Sequence, residues 1–430
     1  MVETKPEPAV GTSGGRRRAG STAARPVALR DVEAPAVDRL QTAIAEFDRV
    51  LGGGFVPGSL VLLGGSPGIG KSTLTGMALG NLAASGAKVL YVSGEESAAQ
   101  VKLRAERLGD AALSVPVIAE TSLEAVLATL ESERPDVCVI DSIQTLNAEG
   151  LTGAPGSVGQ VRESAAAVMD VAKRLGCAVV LVGHVTKEGA VAGPRVLEHL
   201  VDAVLLFEGE RERSFRTLRA IKNRFGATSE VGVFEMRQGG LVEVADASAR
   251  FAGEALAAPG SVVLCAMEGT RPLLVEVQAL VAPTEVVPPR RVTNGIDRNR
   301  LALVLAVLAR HARISVSNAD VFINVAGGVR IDEPGADLAV ALAVASAHRG
   351  EAILGPSGRP MACFGEVGLT GELRHVAHPE RRLAEAAKFG LAPVLGPDAG
   401  EKLDGLTVAA TLHDALKTAK RGTPALRDAA

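Results

Sequence analysis

At 430 residues the chain is too long for one ordinary domain, so two or three are expected. Apolar residues make up 47% and charged residues 22%, a globular balance that excludes wholesale disorder, and no apolar run approaches the roughly 18 residues of a membrane span. The net charge of -3 excludes a generally basic nucleic-acid coat, so any such contact must come from a local patch or an assembled channel.

Residues 1–36 are rich in Pro, Gly, Ala and Arg without apolar periodicity, which predicts a disordered tail. Arg16, Arg17 and Arg18 within it read as a solvated charge run. The N-terminus carries no charged start followed by an apolar stretch, so a cytoplasmic protein is expected. Cys138, Cys177, Cys265 and Cys363 lie far apart in apolar contexts, which predicts reduced core thiols rather than disulfides or a zinc site.

From residue 37 to 250, short apolar runs alternate with helical stretches. The runs are Leu60-Val61-Leu62-Leu63, Val89-Leu90-Tyr91-Val92, Val137-Cys138-Val139-Ile140, Ala178-Val179-Val180-Leu181-Val182 and Ala203-Val204-Leu205-Leu206-Phe207. Continuous apolar strands suit a sheet covered on both faces, so this region predicts an α/β domain with a mainly parallel, doubly wound sheet. Such sheets bind ligands beyond the carboxyl ends of their strands. A second unit, 255–425, has apolar strands around 261–265, 273–277 and 321–325, with helices at about 297–312 and 336–349, and reads as α+β or α/β.

The first run leads directly into Gly65-Ser66-Pro67-Gly68-Ile69-Gly70-Lys71-Ser72-Thr73 and then an apolar helix, the context that a phosphate-binding loop requires. Its glycines let backbone N–H groups turn toward a β-phosphate, and the helix N-terminus adds a positive dipole end. Lys71 is expected to reach the β- and γ-phosphates of ATP, and the Ser72 hydroxyl to ligate Mg²⁺. Asp141 ends an apolar strand, where a carboxylate can hold Mg²⁺ through its water shell. Tyr91-Val92-Ser93-Gly94-Glu95-Glu96-Ser97 offers Glu95 or Glu96 to orient and deprotonate the attacking water, with Glu95 favoured. The alternative is a helix start with favourable acidic residues and Ser93 or Ser97 as its cap.

Three motifs together carry a family resemblance: Phe47-Asp48-Arg49-Val50-Leu51-Gly52-Gly53-Gly54, Ser93-Gly94-Glu95-Glu96-Ser97, and Lys222-Asn223-Arg224-Phe225-Gly226. Over about residues 38–425 the chain resembles the bacterial RadA (Sms) family of DNA-repair ATPases, and the last pentapeptide is specific to it. The resemblance implies a RecA-like core and a DNA-stimulated ATPase that forms homo-hexameric rings and works beside the RecA recombinase. It also implies movement on single-stranded and branched DNA that extends recombination intermediates. Lys222 and Arg224 would couple subunits by reaching a neighbour's γ-phosphate, from a position expected at the sheet edge. A solvated basic turn is the alternative. His184, after a core strand, falls where RecA-like proteins sense the γ-phosphate and could report to Lys187 and residues 189–195; a histidine satisfied by backbone is the other reading.

Val325-Ala326-Gly327-Gly328 and Asp332-Glu333-Pro334-Gly335-Ala336-Asp337 resemble the proteolytic domain of Lon. That chemistry needs a serine nucleophile and a lysine. The corresponding positions hold Gly335 and Glu380, so a ring-forming scaffold without peptidase activity is expected. Arg290, Arg291, Arg298, Arg300 and Arg330 are its candidate phosphate contacts. Relatives begin with a four-cysteine zinc ribbon, whereas no cysteine precedes Cys138, so no zinc is expected here. A RecA-type ATPase used for signalling or self-phosphorylation, as in KaiC-like proteins, is the competing function.

Overall fold

The computed structural model describes residues 38–184, 194–209 and 215–422. The expected tail, including Arg16, Arg17 and Arg18, lies outside them.

One sheet has nine strands: β1 (Leu60–Gly65), β2 (Val89–Ser93), β3 (Val117–Ala119), β4 (Val137–Asp141), β5 (Ala178–His184), β6 (Ala203–Glu208), β7 (Phe215–Asn223), β8 (Val231–Arg237) and β9 (Gly240–Glu243). Their spatial order is β3-β2-β4-β5-β1-β6-β7-β8-β9. The six from β3 to β6 pair in parallel, and β7 to β9 continue as an antiparallel meander. The parallel part has the expected α/β architecture.

Side chains alternate across a strand, so the apolar run of β1 feeds two cores. Leu60 and Leu62 join Val126, Leu130, Val161 and Val168 on one face. Val61 and Leu63 join Phe47, Val50, Leu74 and Leu79 on the other. The helices α1 (Ala45–Leu51) and α2 (Lys71–Ala84) therefore cover the second face. Next come α3 (Ala98–Leu108), α4 (Asp110–Leu113), α5 (Leu123–Glu133), α6 (Val158–Leu175) and α7 (Pro194–Leu197), of which α5 and α6 cover the first.

After α8 (Ala247–Ala252) a second sheet follows in the order β12-β13-β11-β10-β14-β17-β18. Its strands are β10 (Ser261–Glu268), β11 (Arg271–Pro283), β12 (Arg291–Asn294), β13 (Ala319–Val325), β14 (Ala362–Cys363), β17 (Val394–Gly396) and β18 (Leu406–Val408). The hairpin of β15 (Glu366–Val367) and β16 (Leu373–Arg374) stands apart. Helices α9 (Arg298–His311), α10 (Asp337–Arg349), α11 (Pro379–Lys388) and α12 (Leu412–Gly422) complete it. All residues of α10 from Asp337 to Ser346 are buried, which its Ala- and Leu-rich sequence allows on every side. Val233, Ala247 and Phe251 belong to the same apolar cluster as Val262, Val275 and Leu338, so the core of this part extends onto β8 and α8.

All four cysteines are buried with free thiols. Among the described residues, no helix is long and apolar enough to cross a membrane.

Candidate functional site

The loop between β1 and α2 is built by its glycines. Gly70 adopts φ +115°, and a Cβ there would lie 2.8 Å from the Met236 methyl; a Cβ on Gly65 would lie 2.6 Å from the Phe207 carbonyl oxygen. Ser66, Pro67 and Gly68 are exposed while Ile69 is buried and anchors the loop. Lys71 opens α2, is only 4% exposed, and its amine donates to the carbonyl oxygens of Gly65 (2.8 Å) and Ser66 (3.2 Å). Burial lowers its pKa, against the opposing charges of Asp141 and Glu95.

The parallel register brings the ends of β2, β4 and β5 beside this loop, since Gly65 pairs with His184, Asp141 with Val182, and Ser93 with Asp141. Ser72 Oγ donates to Asp141 Oδ2 at 2.5 Å. His184 Nδ1 lies 3.3 Å from the Lys71 amine, and His184 Nε2 lies 2.9 Å from Glu95 Oε1. An ammonium can only donate, so Nδ1 accepts and Nε2 donates to Glu95. The partners of His184 are thus Lys71 and Glu95 rather than a backbone group. Burial opposes ionisation of Glu95, but hydrogen bonds from Ser142 (2.6 Å) and His184, with the charge of Lys71, lower its pKa overall. Glu96 instead pairs with Arg104. Ser97 caps α3 in a reciprocal capping box with Gln100, so the helix-start reading fits Ser97 while leaving Glu95 in the site.

A cavity of about 340 Å³ is lined by Gly68, Gly70, Lys71, Ser72, Glu95 and Asp141 among others, within the size range of small-ligand sites. The donor set fits a hard divalent cation, because a hydroxyl and a carboxylate converge within hydrogen-bond distance at the start of a phosphate loop. Sequence reasoning missed Tyr91, whose hydroxyl meets Asp141, and Arg104 behind it. Lys187 and residues 189–193, the stretch expected to respond to His184, lie outside the described residues.

The pentapeptide 222–226 is elsewhere. Asn223 pairs with Ala203 at the start of β6, while Phe207 near its end faces Gly65, so the two sites occupy opposite ends of the sheet, about 13 Å apart along the strand at ~3.3 Å per residue. β7 is not an edge strand, since it lies between β6 and β8, but its pairing with β8 stops at Arg219, so Lys222 and Asn223 have a partner strand on the β6 side alone. Lys222 donates to the carbonyl oxygens of Glu198 (2.6 Å) and Val201 (2.9 Å). Arg224, with a half-exposed side chain, meets Asp202 Oδ1 at 3.1 Å. Asn223 donates to the carbonyls of Val50 and Leu51, and a Cβ on Gly226 would lie 3.0 Å from Gly52 Cα. Two motifs that carry the resemblance therefore pack on each other.

In the second part of the chain, Gly335 is buried in a short turn and faces the Glu333 carboxylate and Arg382 rather than Glu380, which is exposed. Arg382 is 1% exposed and fixed by Glu333 (2.6 and 2.9 Å) and the Cys265 carbonyl (2.6 Å). Of the proposed phosphate contacts, Arg300 forms a two-pronged pair with Asp337 and Arg291 is bound to three backbone carbonyls, so neither is free for phosphate. Arg330 pairs with Asp332 at the surface, and Arg290 and Arg298 are exposed.

A family model described as an AAA domain matches residues 23–190. A DNA repair protein RadA from Streptococcus pyogenes serotype M6 is 53% identical over 374 residues, covering 87% of this chain and 82% of that protein. The chain belongs to the RadA family. A Bacillus subtilis member of the RadA family, also a DNA repair protein, is 50% identical over 388 residues, covering 90% of this chain and 83% of its own. Among solved structures, a KaiC-like protein from Pyrococcus horikoshii OT3 matches at 21% identity with a TM-score of 0.40, over 48% of this chain and 99% of that one. Membership makes the chain a RecA-like P-loop ATPase that binds nucleotide.

Proposed function

We propose that the chain is a DNA-dependent ATPase of recombinational DNA repair. It acts in the cytoplasm as a homo-hexameric motor that promotes branch migration and strand extension together with RecA. The observation that carries this reading is the convergence of Lys71, Ser72, Asp141, Glu95 and His184 in one cleft, in a chain whose relatives are DNA repair proteins. In the reaction, residues 65–73 wrap the phosphates with backbone N–H groups, and the Lys71 amine leaves the Gly65 and Ser66 carbonyls for the β- and γ-oxygens. Ser72 and Asp141 would hold Mg²⁺, which would supply neutralisation of the phosphate charge. Glu95, ionised at neutral pH, orients the attacking water and takes its proton. His184 bridges Lys71 and Glu95, so a γ-phosphate that draws Lys71 away alters what Glu95 feels.

Residues 37–250 form the motor domain in this reading, and 255–425 a Lon-like scaffold without peptidase chemistry. Arg290 and Arg298 are its remaining phosphate contacts. The deciding measurement is ATP turnover with and without single-stranded DNA. A rise with DNA is expected; equal turnover would leave an ATPase but remove the DNA-driven motor.

A further inference from the structure

Tyr91 is the only tyrosine in a chain without tryptophan, and it is 3% exposed. Along the paired strands Ser93 faces Asp141 and Tyr91 faces Val139. Tyr91 is thus the diagonal neighbour of Asp141 on the same face, a separation of about 7–8 Å that only a long side chain bridges. Its hydroxyl does so, donating to Asp141 Oδ2 at 2.6 Å, the same oxygen that accepts from Ser72. The phenol oxygen in turn accepts from Arg104 Nη2 at 2.9 Å. Arg104 lies over the Tyr91 ring, 5.7 Å from its centroid, and its other terminal nitrogen pairs with Glu96. With Arg104 donating to it, the phenol has one proton to give, and Asp141 receives it.

We propose that Tyr91, braced by Arg104 and Glu96, is a positioning residue that aims the Asp141 carboxylate for the divalent cation accompanying the nucleotide. The inference rests on the nucleotide-site reading above. Groups that orient a metal-holding carboxylate set metal affinity without touching the metal, and their loss typically costs 10- to 100-fold. Arg104 belongs to α3, none of whose residues is buried, so the brace is supplied by a helix only lightly anchored to the sheet.

Binding of a non-hydrolysable ATP analogue by calorimetry, at graded Mg²⁺, provides the test. In Tyr91→Phe, affinity in chelator is expected to stay unchanged while the Mg²⁺ midpoint rises roughly tenfold. Arg104→Gln should shift the midpoint in the same direction, by less, and carries the test alone if Tyr91→Phe does not fold. Tyrosine emission of the unaltered chain reports on this one residue and should change with Mg²⁺ and analogue at the same midpoint. An unshifted Mg²⁺ midpoint in folded Tyr91→Phe overturns the proposal. Lys71→Ala separates the two readings: if it binds analogue as the unaltered chain does, the nucleotide-site reading itself fails.

Discussion

Arg271, at the start of β11, donates to the Glu46 carboxylate of α1 at 2.5 Å; Glu46 is buried and Arg271 largely covered. The same guanidinium reaches the carbonyls of Val231, Val244 and Ala245, and Glu46 also accepts the Val233 N–H at 2.8 Å. A cation of the second sheet thus completes the polar partners of a helix on the first. Arg271→Met leaves the buried Glu46 with the more exposed Arg49, 3.3 Å away, as its remaining cation, and the expected cost is about 3 kcal/mol in urea unfolding. Adding Glu46→Met should recover part of that loss, because the poorly compensated buried charge disappears. A double variant less stable than Arg271→Met would show that the remaining partners of Glu46, Arg49 and the Val233 N–H, outweigh its desolvation cost.

Lys71→Ala should lower ATP turnover by about 10²-fold or more while leaving the fold intact. The amine bonds only to loop carbonyls and to His184, so its removal opens the cleft without exposing a core. Circular dichroism checks the fold, and near-normal turnover would remove the nucleotide-site assignment.

The parallel strands are legible in the sequence because burial on both faces demands unbroken apolar runs such as residues 60–63. The meander is not: β7 is buried only at alternate positions and carries Arg216, Arg219 and Lys222, and β14 to β16 are two residues each, too short for any period. Lys71, Ser72, Asp141 and Glu95 could be found because each follows or ends a core strand. Tyr91 reads as one more apolar strand residue and Arg104 as a helical surface cation. Only strand register and the seat of α3 bring them together.

Peptidase activity should be absent even after Gly335→Ser. A serine there would meet Glu333 Oε2 and Arg382 rather than a lysine amine; the guanidinium has no lone pair, and it holds the Glu333 carboxylate in an ion pair that makes it a poor base for a hydroxyl. Casein cleavage by that variant, followed on a gel with ATP present, would show that another base reaches the site.

Burial holds Glu268 up at about 7, with Arg219 pulling it down and Glu333, Asp332 and Glu208 pushing it further up. Arg219 pairs with Glu268 at 2.9 Å and with Glu208 at 3.0 Å, so the cation is shared. A raised carboxyl contributes stability that is fully present below its unfolded value and is lost as pH rises through the folded value. The interval from 4.5 to about 7 corresponds to about 3 kcal/mol. Melting curves should therefore show Glu268→Gln gaining on the unaltered chain between pH 5 and 8; parallel profiles would remove the assignment.

Arg224→Ala should leave nucleotide binding largely unchanged and remove DNA-driven turnover. The reason is geometric: the pentapeptide lies at the end of the sheet opposite the phosphate loop, so within one chain it cannot reach a bound phosphate. It could do so only in a neighbouring subunit, where a trans-acting arginine contributes on the order of 10³ or more in rate. The two cations are not equivalent. Lys222 is spent on the Glu198 and Val201 carbonyls, whereas Arg224 has a half-exposed side chain held by one contact to Asp202. Asp202 also accepts the Leu60 N–H at 3.0 Å, so Arg224 connects to the start of β1, the strand that ends in the phosphate loop. Lys222→Ala is expected to act indirectly, by loosening residues 198–201, and Arg224→Ala directly. A mixing experiment separates trans action from a local role. Arg224→Ala subunits keep Lys71, and Lys71→Ala subunits keep Arg224. In mixed assemblies some junctions pair an intact phosphate loop with an intact arginine, so part of the activity should return. Mixtures as inactive as the separate variants, with co-assembly shown by light scattering, would leave Arg224 a structural partner of Asp202 and nothing more.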